Sequence, residues 1–238
     1  MIFEASRAKA VDKLNHFVEN NLSEYSKLRN FDFGTDNRSN ISCLSPYITH
    51  GIINELEVID KSLKKFTNNR FQNIKLNENA PPKISGKSFP MIKQEFNNPQ
   101  NLEEKNLLIF ENNLSFEITD FKENRFKKIY IISNRNENRS IKLSEKLVKF
   151  KSLLMKDKEQ RLKDESIDCE VVDVSEIKNI ENYYGLYPTV GENLDYLNSN
   201  NLKIDFLYRN LDQLAWQYCN KGFFNFKNYI PKIISAFN

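Results

Sequence analysis

Ala8, Val11, Leu14, Phe17, Val18, Leu22, Tyr25 and Leu28 recur at steps of three and four residues, the spacing that lines one face of an α-helix. Ser6 stands where an N-cap is expected. The helix is expected to stop at 30–40, NFDFGTDNRSN, because Asp, Asn and Ser side chains compete for the backbone hydrogen bonds a helix needs. A compact segment follows, ISCLSPYITHG at 41–51, and then a second helical pattern through Ile52, Ile53, Leu56 and Ile59. From about Lys65 to Asn101 the periodicity is poor. Pro81, Pro82, Pro90, Pro99 and Gly86 break any long element there, which predicts an irregular connector.

Beyond the connector, short apolar runs alternate with amphipathic ones. Leu107–Phe110, Lys127–Ile132, Cys169–Val174 and Lys203–Tyr208 read as strands, rich in β-branched and aromatic residues. Residues 142–163, built on Leu143, Leu147, Phe150 and Leu154, read as a helix, and so does the run Leu211, Leu214, Ala215, Tyr218. The alternation predicts an α/β fold: a parallel-sheet C-terminal domain with helices on both faces, preceded by a small helical N-terminal segment. The expected divisions are a helical segment at 1–64, the connector at 65–103 and the α/β domain at 104–238.

The chain has 238 residues, enough for a substantial core. No apolar run approaches the roughly 18 residues of a membrane span. Its 35 cationic and 32 anionic residues are interspersed, with a net charge of +3, so charge alone does not select nucleic acid as a partner. Three scattered cysteines suggest neither a disulfide framework nor a metal site, and His16 and His50 are the whole histidine supply. The start, MIFEASRAKA, lacks a secretory pattern, so a cytoplasmic, reducing setting is expected. Roughly one residue in seven is asparagine, far above average usage, which reads as A/T-biased coding rather than chemistry.

No Walker A loop, GxGxxG, GxSxG or HExxH is present. Ser42 and Ser45 precede a Pro and a helical run, where hydroxyls and free N–H groups suit a phosphate; capping by Ser45-Pro46 is the favoured reading. In 216–231, Trp216, Tyr218, Phe223, Phe224, Phe226 and Tyr229 interleave with Lys221 and Lys227. Such a pattern can stack bases, but aromatic packing on the α/β core is favoured. Cys43 and His50 have no fixed acidic partner for nucleophilic work. Glu145, Asp157 and Glu159 are expected to face water. Ser133 and Asn134 end a strand and would meet a ligand at the carboxyl edge of a parallel sheet.

Two stretches carry a family resemblance: Ser23-Glu24-Tyr25-Ser26-Lys27-Leu28-Arg29-Asn30, and Ser42-Cys43-Leu44-Ser45-Pro46-Tyr47-Ile48-Thr49-His50-Gly51. Together they resemble the start of the flavin-binding domain of the DNA photolyase/cryptochrome family, where a helical Tyr is followed by a TSRLSPYLHFG-like segment. The resemblance implies that Tyr25, Ser42, Leu44 and Ser45 lie around an FAD diphosphate. Cys43 stands for the usual Arg and Ile41 for the usual Thr, which removes a cation and a hydroxyl. At fold level, 104–238 resembles the antenna domain of photolyases, placed after the flavin segment instead of before it. The Trp-rich helical block that surrounds the flavin ring is missing, and Trp216 is the single tryptophan.

By resemblance the activity class is light-dependent DNA repair with FAD on damaged DNA, truncated and catalytically impaired in this chain, with no catalytic residue assigned. An antenna chromophore is a further implied ligand. Two other classes stand beside it. One is a non-catalytic α/β module that binds a nucleotide or chromophore near Ser133 and Asn134. The other is an interaction protein that self-associates through N-terminal helices left without their packing partners.

Overall fold

The computed structural model describes residues 3–34, 37–65, 98–99, 101–115, 126–189, 191–219 and 223–236. Most of the expected connector, with Pro81, Pro82, Gly86 and Pro90, lies outside the described residues, as does Lys221.

Strand β1 (Asn106–Phe110) is buried at every position after the first, the mark of a strand covered on both faces. Its side chains alternate between two cores. Leu107 and Ile109 join Ile129 and Ile131 of β2 (Lys128–Ser133) in one, and Leu108 and Phe110 join Ile132 in the other. With β3 (Cys169–Asp173), β4 (Tyr183–Leu186) and β5 (Phe206–Leu207) they form a five-stranded sheet of order β3-β2-β1-β4-β5. Every pairing is parallel.

One face carries α1 (Arg7–Asn20) and α5 (Glu145–Asp164), which bury Leu14 and Leu154 in the first core. The other takes Val174 and Ile177 from a 3-10 turn and Leu197 from α6 (Glu192–Ser199). The fold is therefore α/β, a parallel sheet with helices on both faces and a small helical segment before it. Among the described residues, no helix is long and apolar enough to cross a membrane.

The N-terminal segment differs from expectation in detail. Ser6 caps α1, accepting from the Lys9 N–H at 3.3 Å, but the helix stops at Asn20, and α2 (Tyr25–Leu28) is a separate turn. Asn20 donates its side-chain amide to the His16 carbonyl at 2.9 Å, the local competition that weakens Asn in helices. In α3 (Ser45–Thr49), Leu44 and not Ser45 holds the N-cap position, with Pro46 in the first turn. Ile52 and Ile53 are fully buried in the link to α4 (Glu55–Lys65) rather than lying on that helix. Asn54 and Glu57 cap α4 reciprocally: Asn54 N–H donates to Glu57 at 2.8 Å and Glu57 N–H donates to Asn54 at 2.9 Å.

This segment packs on the sheet. Ala10, Leu14, Phe17, Leu44, Tyr47, Ile52 and Ile53 share one core with Leu107, Ile109 and Leu154. The Tyr47 hydroxyl donates to the Glu4 carbonyl at 2.9 Å. Arg7 pairs with Glu57, donates to the Ile52 carbonyl at 2.7 Å, and offers its backbone N–H to Asp157 of α5 at 3.1 Å. Asp157, expected to face water, is instead half-buried in this seam. At the C-terminal end, α7 (Asn210–Trp216), α8 (Phe223–Phe226) and α9 (Ile230–Ser235) follow β5. Trp216 meets the Tyr187 ring at 5.6 Å, packing on the α/β domain as expected, whereas Tyr218 stacks on Tyr229 at 4.2 Å within the C-terminal segment itself.

Gly51 brings the N-terminal segment close against the backbone that follows β1. Its φ is +57°, and a Cβ there would lie 3.0 Å from both Asn113 Cα and Leu114 N. Both objections are backbone, so the neighbours have little room to yield. Gly51→Ala is expected to lower stability by about 2 kcal/mol or more, read as a drop in the midpoint of thermal unfolding.

Candidate functional site

A parallel sheet delivers its strand ends to one edge, and ligands favour the point where the strand order reverses. Here that point lies between β1 and β4. The chain leaves β1 through Glu111, Asn112 and Asn113, leaves β2 through Asn134 and Arg135, and leaves β4 through Tyr187 and Pro188.

Asparagine side chains lace the crevice shut. Asn112 donates to the Pro188 carbonyl at 2.6 Å, and Asn113 donates to the Tyr187 carbonyl at 3.3 Å. Asn193 donates to Asn112 at 3.1 Å, and Asn134 donates to Asn193 at 3.4 Å. Asn113 also accepts the Phe110 N–H at 2.6 Å, which turns the chain sharply as it leaves the strand.

One strand over, an ion cluster is buried. The Glu111 carboxylate accepts from Arg139 at 2.5 Å and from Lys151 of α5 at 3.0 Å. The Arg139 guanidinium also donates to Glu192 at 2.5 Å and to the Asn134 carbonyl at 2.6 Å. The Arg139 and Glu111 side chains are only 4% and 3% exposed. Burial disfavours the Arg139 cation, but its hydrogen bonds to Glu111 and Glu192 outweigh that and raise its pKa. In this cluster two buried polar atoms, Asn134 Oδ1 and Arg139 Nε, have no hydrogen-bond partner among the described residues. Both residues border a cavity of about 200 Å³ together with Ser133, Arg135 and Lys151.

This arrangement suits recognition more than covalent chemistry. It sets amide, guanidinium and ammonium groups around a small space, with charges that nearly balance. The Ser133 hydroxyl is engaged with the Val172 carbonyl at 3.0 Å. Among the described residues, no group of His, Cys, Asp and Glu side chains could hold a metal ion.

The residues assigned to the FAD diphosphate are placed differently from one another. Tyr25 is half-buried, its ring edge-on to Phe17 at 5.3 Å. Leu44 is 1% exposed in the core, and Ser45 is exposed on α3. Ser42 accepts from the Leu44 N–H at 3.4 Å and borders a cavity of about 300 Å³ with Lys13, His16 and Arg38. Two cations and a hydroxyl are a donor set suited to phosphate. Cys43 borders the same cavity, whereas His50 borders another, so the two are not brought to one site.

Location at a strand end pointed to Ser133 and Asn134. The same argument applied to β1 points to Glu111, the charged residue directly after the apolar run. Arg139, Lys151 and Glu192 carried no comparable signal.

Removing one partner of the cluster strands the rest in low dielectric. Glu111→Ala is expected to cost about 3–5 kcal/mol, with Glu111→Gln intermediate, both measured by denaturant unfolding. His50 gives a pH signature. Burial, reinforced by Lys151 and partly opposed by Glu111, lowers its pKa to about 4 from 6.5. The unfolded chain therefore binds a proton between these values that the folded chain refuses. Stability from this residue is present in full above pH 6.5 and is lost as pH falls toward 4, a change on the order of 3 kcal/mol. His50→Gln is expected to flatten that acid limb in a series of melts.

Comparison of the chain with protein-family models, with curated proteins and with solved structures finds no significant match in any of the three.

Proposed function

We propose that this chain is a photolyase/cryptochrome-like protein, related to the enzymes of light-dependent DNA repair, that holds a nucleotide- or chromophore-type ligand at the carboxyl edge of its sheet and performs no repair itself. The observation that carries this reading is the pair of buried, unpartnered atoms, Asn134 Oδ1 and Arg139 Nε, on residues bordering one cavity beside the switch point. One is an acceptor and the other a donor, the two functions that the amide edge of a planar heterocycle needs. The rings of Tyr187, Tyr208 and Trp216, with centroids 5.2 Å to 6.2 Å apart, stand on the β4–β5 side of the same edge. The protein acts in the cytoplasm in this reading. Damaged DNA, the partner implied by the resemblance, has no repair centre to meet here.

FAD held by its phosphates is the second reading, favoured by the grouping of Ser42 with Lys13, His16 and Arg38. Of Tyr25, Ser42, Leu44 and Ser45, Ser42 alone borders that cavity, so the fit extends to the phosphate end and no flavin chemistry is derived through it. FAD, where bound, would supply light-driven electron transfer.

Equilibrium dialysis of the purified chain against FAD, a folate and ATP tests both readings. Retention of one of them, weakened about tenfold or more by Arg139→Met, is the expected result, a loss of about 1.4 kcal/mol. Retention of FAD that Arg139→Met leaves intact and Arg38→Ala with Ser42→Ala abolishes would replace the first reading by the second. A folded protein that retains none of the three overturns both, and repair of thymine-dimer DNA under blue light overturns the claim of no repair.

A further inference from the structure

Between the N-terminal segment and the first half of α5 runs a groove of about 670 Å³, distinct from both cavities described above. Its size is that of a small-molecule site. Phe3, Ala5 and Pro46 come from one side and Leu147, Phe150 and Leu153 from the other. Leu153 is 44% exposed, a large apolar side chain left facing the opening.

Two polar features break the apolar lining. His50 is nine-tenths buried, packs against the Phe150 ring at 5.6 Å and has no side-chain hydrogen bond among the described residues. Its ring nitrogens are not among the fully buried unpaired polar atoms, so they reach open space, and a ligand that covered them without offering a partner would leave them unsatisfied. The second feature is charge. Lys146 and Lys149, on the first turns of α5, are exposed and border the groove. Neither has an acidic partner among the described residues, unlike Lys163 and Lys151 further along the same helix. The one acid at the groove, Glu4, stands 3.7 Å from Lys9. The groove lining therefore carries two cations against one acid that has its own partner.

We propose that this groove binds a small amphipathic carboxylate: an apolar or aromatic body between Phe3, Phe150 and Leu153, a carboxylate at Lys146 and Lys149, and a hydroxyl on that body paired with His50. Each part answers one feature. A bare anion would leave the apolar walls wet. A cation would meet two lysines. An unfunctionalised body would leave His50 without a partner. The imidazole is neutral at physiological pH, because its pKa lies at about 4, so it presents one donor and one acceptor to a neutral hydroxyl. Lys151 and Glu111 are the charged groups that act on it from α5 and from the end of β1.

Titration calorimetry with three probes tests this: phenylpropionate, its para-hydroxy form and the cationic phenylpropylamine. The hydroxylated acid is expected to bind tightest, roughly fivefold tighter than phenylpropionate, the worth of one hydrogen bond, and about tenfold or more tighter than the amine. Lys146→Ala with Lys149→Ala should weaken both acids and strengthen the amine, narrowing the gap between them. Leu153→Asp, on an exposed position that leaves the core untouched, should abolish binding of both acids. His50→Leu should erase the preference for the hydroxylated acid while phenylpropionate binds as before; His50→Gln, which keeps a donor and an acceptor, should retain part of it. No saturable binding to the folded chain, equal binding of acid and amine, or binding indifferent to Leu153→Asp would overturn the proposal.

Discussion

A single buried carboxylate holds the working end of this molecule together. Glu111 leaves the central strand and meets Arg139 from the loop after β2 and Lys151 from α5, three pieces separated by 28 and 40 residues of sequence. An isolated carboxylate could not remain charged at that depth. The two cations make its burial tolerable, and each is fixed in return. Arg139 then reaches Glu192 at the head of α6, so one carboxylate sets the spacing of β1, β2, α5 and α6 around the sheet edge. The effect extends to the N-terminal segment, because the pKa of His50 responds to both Lys151 and Glu111.

Apolar patterning made the fold class legible, along with four of the five strands and α5. It works there because β1 and β2 are covered on both sides and have room for little but apolar residues. It fails where an element is short or ends on turn residues. Tyr183–Leu186 is a four-residue strand with Gly185 inside it and Pro188 just after, so its sequence reads as a turn; its place beside β1 comes from parallel pairing across a long stretch of chain. The break between α1 and α2 was hidden for the opposite reason. Apolar spacing continued unbroken through Leu22 and Tyr25, while the chain bent at Asn21 to fold both residues against the same core.

The site was less legible than the fold. Strand-end position singled out Asn134, but the ion cluster depends on partners that no local spacing brings together. Asparagine made matters worse. With roughly one residue in seven of that type, far above ordinary usage, nothing marks Asn112, Asn113, Asn134 and Asn193 as the rungs that close the switch crevice. An amide that both donates and accepts can bridge carbonyls and other amides alike, so a bias with no chemical purpose still provides the material of a polar lattice. The SPY segment shows the reverse case. Its serines drew attention to phosphate, yet its most constrained members, Leu44, Tyr47 and Gly51, dock the N-terminal segment on the sheet.

Helix α5 borders two separate spaces. Lys149, Phe150 and Leu153 face the groove shared with the N-terminal segment, while Lys151, Ser152 and Met155 face the sheet-edge cavity. Successive helix residues are turned by about 100°, so neighbours in sequence serve as walls of two different spaces. Both walls belong to one continuous helix, which is packed through Leu154 against a close-packed core. Such a core does not deform by degrees. The two spaces therefore share a rigid partition, and the Lys151–Glu111 pair, a charged contact of α5 with the end of β1, is the joint that sets where that partition stands.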